Sequence, residues 1–223
     1  MSAATRYHDV TGTLAPEMWS YRPSIPDIPP FEQRRWATID ERGWEADAFS
    51  MPTLAGTYLE TSKHHFADGP GIDEIPPERL FVDAAIVQIP KGAREHITVA
   101  DLEDAHPTIR PGDALLIATG WDRYWWDDGT TFVMESPHFD LPAMEWIVAR
   151  GVSILGGDMP CFDDPQPGGG QGVNLPLLKS GALILAPLVG LREIARARAK
   201  LVVLPIKLRG ACGAPCRAIV IEE

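Results

Sequence analysis

Between residues 56 and 66 the chain reads Gly-Thr-Tyr-Leu-Glu-Thr-Ser-Lys-His-His-Phe, its densest run of side chains that can move protons. Alternate residues of an extended segment share a face, so Tyr58 and Glu60 point the same way, and His64 can join them once the strand has ended. A phenol, a carboxyl and an imidazole meeting in one cleft could act as general acid and base. A carboxylate beside an imidazole orients it and raises its pKa, which poises it near neutral pH. The same spacing also suits a plain surface, with Glu60 and Lys63 solvated and one of the two histidines a structural donor.

A second group of polar residues, Gly156-Gly157-Asp158-Met159-Pro160-Cys161-Phe162-Asp163-Asp164-Pro165, directly follows the apolar run VSIL. Polar residues just past the C-terminal end of a strand are where α/β folds hold ligands. Asp158 reads as a brace for turn amides. Cys161 reads as a substrate contact; to be a nucleophile it would need a cation, a helix N-terminus or a histidine brought by folding. Gly168-Gly169-Gly170-Gln171-Gly172 lacks both the dinucleotide spacing and a phosphate-loop lysine, so it reads as a pocket rim with Gln171 touching substrate. Cys212 and Cys216 are separated by three residues with no histidine near them in the chain, a pattern that fits a turn better than zinc. Trp121, followed by Tyr124, Trp125 and Trp126, suits either core and subunit packing or the wall of a pocket for a flat apolar molecule.

The elements that must position these residues are short. Gly and Pro make up 20 and 21 of 223 residues and lie between apolar runs, which predicts many brief elements joined by tight turns. Strands are expected at 36–48, 56–61, 81–88, 114–119, 152–155, 183–185, 201–206 and 218–221. Helices are expected from 140 to 151, where Asp140 and Pro142 open and Gly151 closes the turn pattern, and at 99–104, 175–180 and 191–199. The proline-rich segment 14–31 is expected to run extended over the surface. This is a mixed α/β pattern in one domain spanning residues 1–223, with 1–35 as an N-terminal arm. The net charge of −11, with 31 acidic against 20 basic residues, disfavours nucleic-acid binding. No apolar stretch reaches membrane-spanning length, and three cysteines with no signal-like N-terminus make the cytoplasm the expected compartment.

Several segments together resemble the cyclase family of metal-dependent hydrolases, which includes bacterial kynurenine formamidase and isatin hydrolase. They are Asp9-Val10-Thr11 with the proline arm, GTYLETSKHHF, GPGIDEIPPERL, ATGWDRYWW, SPHFDLPAMEWIVARGVSILGGDMP, LPLLKSGALIL and PIKLRGACGAPCRAIVI. The resemblance implies a swivelling β/β/α fold with a mixed β-sheet core, assembled as a homodimer or homotetramer. It also implies the signature H-x-G-T-H-x-D-x-P-x-H, whose first two histidines and aspartate bind metal and whose last histidine is the acid/base. Aligned on Gly56-Thr57, those positions hold Leu54, Tyr58, Glu60, Ser62 and His64. Two further family ligands, a histidine and a glutamate, fall at Asn174 and Ala186.

Leu54 and Ala186 cannot donate to a metal. The resemblance therefore implies a divergent member, for which the expectation is a metal-independent acid/base enzyme acting on a small carbonyl compound, with no cofactor. In this reading His64 is the base or acid, Glu60 its partner, and Tyr58 and Asn174 donate hydrogen bonds to a developing oxyanion or enolate. His65, Cys161, Gln171 and Trp121 contact the substrate. Cyclisation of a pathway intermediate leads, with dehydration, isomerisation and lactone opening beside it. Three alternatives stand: a zinc or manganese amide hydrolase built on Glu60, His64 and His65 with Cys161, a noncatalytic ligand-binding protein, and an alignment one residue shifted that hands the catalytic role to His65. The expected partner is a small molecule, with no nucleic acid and no membrane.

Overall fold

The computed structural model describes residues 4–166 and 172–223. Its centre is a sheet in the order β1 (Arg6–Asp9), β12 (Gly213–Glu222), β11 (Arg198–Pro205), β5 (Phe81–Gln88), β7 (Ala114–Ala118), β9 (Ile154–Gly157), β10 (Leu183–Ala186) and β4 (Tyr58–Glu60). β4 pairs with β10 on one side and with the first residues of β12 on the other, so the sheet closes into a mixed barrel. The three-strand run β5, β7, β9 and its neighbour β10 are parallel, and the remaining pairings are antiparallel. A hairpin of β2 (Glu32–Ala37) and β3 (Ala46–Ser50), and a short parallel pair of β6 (His96–Ile97) and β8 (His138–Phe139), lie outside the barrel.

The period of two along each strand divides the apolar residues into two cores. Leu59, Ala84, Ile86, Leu116, Leu185, Val203 and Val220 pack together inside the barrel. Ala85, Val87, Leu115, Ile117 and Ile184 face the other way, against the helices. These are α2 (Val99–Asp104), α3 (Leu141–Ala149) and α4 (Leu175–Lys179). Two of them, α2 and α3, begin at a capping side chain. Thr98 accepts from the Asp101 amide while Asp101 accepts from the Thr98 amide at 2.8 Å, and the Asp140 carboxylate accepts from the Ala143 amide at 2.8 Å. Asp158 accepts from the amides of Thr119 and Gly120 at 2.9 and 2.7 Å and from the Thr119 hydroxyl at 2.6 Å, so it braces the turn after β7. Among the described residues no helix is long and apolar enough to cross a membrane.

Three expectations are corrected. Segment 36–48 is not one strand: Thr38 caps a single helical turn, α1 (Ile39–Arg42), and Gly43 ends it at φ 77°, so the chain reverses into the β2–β3 hairpin. Segment 191–199 is not a helix; one tight turn at Leu191–Glu193 precedes β11, whose backbone is claimed by ladders with β5 and β12 on both sides. The proline-rich arm does lie largely at the surface, with residues 22–27 exposed, but it is not extended. It folds as successive turns, and Trp19 is 1% exposed, edge-on to Tyr21 and Trp125. Proline denies this segment a ladder but does not prevent its aromatic rings from being buried.

Candidate active site

β4 is three residues long and buried along its whole length. Leu59 fills the barrel interior, so Tyr58 and Glu60 must face outward, into a cleft of about 850 Å³ between the strand, the arm and the start of α4. Gly56, at φ 65°, lets the chain turn into the strand beneath Leu14, and Thr57 anchors it by donating to the Pro187 carbonyl at 2.6 Å and accepting from the Gly12 amide at 2.9 Å. After the strand, Thr61 caps the tight turn Ser62–His64 that brings both histidines to the cleft, with their rings edge-on at 4.7 Å.

Electrostatics set the cleft apart from the rest of the surface. Burial, and secondly the charge of Asp163, push the Glu60 carboxyl up to about 8, so it holds its proton at neutral pH. Burial and the neighbouring His65 lower the His64 pKa, which keeps that imidazole neutral under the same conditions. Asp163 is raised by burial too, against the pull of the Gly172 and Asn174 amides that donate to it at 3.2 and 2.9 Å. The Tyr58 and Tyr21 hydroxyls lie 3.0 Å apart, and Tyr21 donates to the Pro160 carbonyl at 2.7 Å. Burial raises both phenols well above their ordinary value. With the Tyr21 hydrogen committed to Pro160, Tyr58 donates to Tyr21 and turns lone pairs toward the cleft. Among the described residues, the buried Oδ1 of Asn174 has no hydrogen-bond partner.

Tyr58, Glu60, His64, His65, Cys161 and Asn174 thus all line one cleft, as do Leu54 and Ala186. Gln171 lies outside the described residues. Trp121 does not reach the cleft: its indole is 1% exposed in the helix-side core, and its Nε1 donates to the Phe132 carbonyl at 2.8 Å. The residue before it, Gly120, follows the Asp158-braced turn, which points the indole into the layer beneath. Cys161 has no imidazole beside it and is pushed up to about 12 by burial and by Asp163 and Asp164. The histidine contact falls instead on Cys212, whose Sγ is 3.6 Å from His64 Nδ1. Tyr21 and Cys212 were not expected in the site; Asp163 belongs to the polar group after VSIL that the sequence places at a strand end, but the spacing assigns it no role.

The family model described as "Putative cyclase" matches residues 8–164. Kynurenine formamidase of Erythrobacter litoralis is 29% identical over 227 residues, covering 97% of this chain and 94% of that protein. Kynurenine formamidase of Geobacillus thermodenitrificans is 27% identical over 197 residues, covering 88% and 90%. Among solved structures, an isatin hydrolase bound to the product analogue thioisatinate has a TM-score of 0.85 at 21% identity, covering 98% of this chain and 92% of that one. A structure described as a predicted metal-dependent hydrolase from Bacillus stearothermophilus has a TM-score of 0.80 at 21% identity, covering 99% and 100%. At these identities the structural likeness concerns the fold.

Proposed function

The chain belongs to the cyclase family, and from that premise we propose that it is an acid/base hydrolase of a small amide or lactam bound in the cleft outside β4. The observation that carries the proposal is the pairing of a proton-holding carboxyl, Glu60, with a neutral imidazole, His64, on one wall. His64 takes a proton from the attacking nucleophile. Glu60 supplies one to the carbonyl oxygen or to the departing nitrogen. The unpartnered Asn174 Oδ1 is suited to accept a hydrogen bond from a substrate N–H, since leaving it unmet costs about 1–3 kcal/mol. The names of the relatives support amide and lactam substrates. The ring-closing direction is the same chemistry in reverse.

The residues do not fit the metal-ligand set that the family resemblance implies. Leu54 and Ala186 bring hydrocarbon to the cleft, and the Tyr58 hydroxyl is engaged with Tyr21. They do fit one ion: Glu60, His64 and His65 each offer a donor atom, all within 4.8 Å of one another. This supports a second reading, a hydrolase with one zinc or manganese ion on those three residues, which when bound would polarise a carbonyl and acidify water.

Turnover of isatin and of the formamide of kynurenine, assayed with and without prior chelation, separates the readings. The proposal expects activity that survives chelation and falls at least about a hundredfold in His64→Gln and in Glu60→Gln. Activity lost on chelation and restored by zinc or manganese would select the one-ion reading. Calorimetric binding of these compounds with no turnover, with or without added metal, would make the chain a ligand-binding protein instead.

A further inference from the structure

We infer that Cys212 and His64 form a nucleophile–base dyad, so that the atom attacking the substrate is the Cys212 sulfur and not a water oxygen. The inference rests on the reading of His64 as the base and names what that base deprotonates. Cys212 Sγ lies 3.6 Å from His64 Nδ1, and both side chains line the cleft that holds Glu60. With the imidazole proton on Nε2, Nδ1 accepts the thiol hydrogen, the relation that a cysteine nucleophile requires of its base.

The contact is built into the backbone. Thr61 donates its amide to the Cys212 carbonyl at 2.8 Å, and its hydroxyl lies 3.0 Å from the same carbonyl and 2.7 Å from that of Pro70. The same Thr61 caps the turn that carries His64, whose amide donates to the Thr61 carbonyl at 3.1 Å. One fully buried residue therefore holds both partners in register. Gly213, the next residue along, opens β12 against Glu60.

The other two thiols show what Cys212 has that they lack. Cys216 is sequestered in the barrel interior at 8% exposure, and burial raises its pKa. Cys161 reaches the cleft but faces the carboxylates of Asp163 and Asp164 and, among the described residues, has no imidazole hydrogen-bonded to it. Cys212 is half-buried, opens on the cleft, and has the His64 imidazole at hydrogen-bond distance.

The chemistry balances without any further reagent. Nδ1 takes the thiol proton as sulfur bonds to the carbonyl carbon, and the C=O π pair moves to oxygen, steadied by the Glu60 O–H. Return of that pair expels the nitrogen, which leaves with the proton held on His64, and a thioester remains. Water then adds to the thioester, giving one proton to His64; collapse expels the sulfur, which recovers that proton. One amide and one water become one carboxylic acid and one amine.

Two measurements on the full chain test this. Limiting iodoacetamide followed by peptide mass mapping is expected to alkylate Cys212 at least about tenfold faster than Cys161 and Cys216 in the same molecules, and His64→Gln is expected to slow Cys212 about tenfold. Acid-quenched turnover of isatin or of the formamide of kynurenine is expected to leave an acyl mass on the Cys212 peptide, absent in Cys212→Ser. Equal alkylation of the three thiols, or a Cys212 rate untouched by His64→Gln, overturns the dyad. Wild-type turnover in Cys212→Ser with turnover lost in His64→Gln overturns the dyad while sparing the acid/base reading. Turnover intact in Glu60→Gln and His64→Gln overturns that reading and the dyad with it.

Discussion

Glu60 sits where its charge is unwelcome, and this has a cost in stability whose sign can be worked out. Its folded pKa of about 8 lies above the ordinary 4.5, so between those values the unfolded chain releases a proton that the folded chain keeps. The cost is absent below about pH 4.5, grows as pH rises, and is complete above about pH 8, where it amounts to at most roughly 5 kcal/mol. Glu60→Gln is therefore expected to melt at a higher temperature than the wild type at pH 8 and at the same temperature at pH 4.5. A wild type that is the more stable of the two at pH 8 would show that the carboxylate has a stabilising partner. The alternation that puts Tyr58 and Glu60 on one face was legible in the sequence, because a strand has a fixed period. The charge of Asp163 and the hydroxyl of Tyr21 were not: each reaches Glu60 or Tyr58 across a long stretch of chain, and no spacing rule connects them.

At the level of elements, the cleft depends on short segments whose ends are fixed by side chains. Thr61 joins the end of β4, the histidine turn and the Cys212 loop through one buried side chain that is 0% exposed. Thr61→Val keeps the shape and removes the hydroxyl, leaving the Pro70 carbonyl short of a donor while the Cys212 carbonyl keeps the Thr61 amide; a loss of about 1–3 kcal/mol is expected in denaturant unfolding, and an unchanged midpoint would refute the role. Apolar runs and caps made most elements readable: β5, α2 and α3 stand where β-branched runs, Thr98 and Asp140 place them. The arm was misread because proline content reports only on hydrogen bonding. The burial of Trp19 is decided by Trp125 and Phe132, more than a hundred residues away.

For the molecule as a whole, the decisive event is closure of the sheet by β4 against β12. Gly213 stands at that seam, where an added Cβ would lie 2.7 Å from the Leu59 carbonyl oxygen. Gly213→Ala is expected to destabilise the protein by about 1–3 kcal/mol, seen as a lower melting temperature, and an unchanged melting temperature would mean that the seam can spread. The mixed α/β class and the family were legible from ordered segments along most of the chain. Ring closure was not, since pairing partners distant in sequence leave no periodic trace.

The central claim, that Glu60 and His64 work as a proton-transfer pair without a metal, is tested most directly by metal analysis of the purified protein by plasma mass spectrometry, before and after incubation with zinc and manganese. Less than about a tenth of an equivalent per chain is expected in both states. About one equivalent, lost in Glu60→Ala, would contradict it and give Glu60, His64 and His65 to an ion instead.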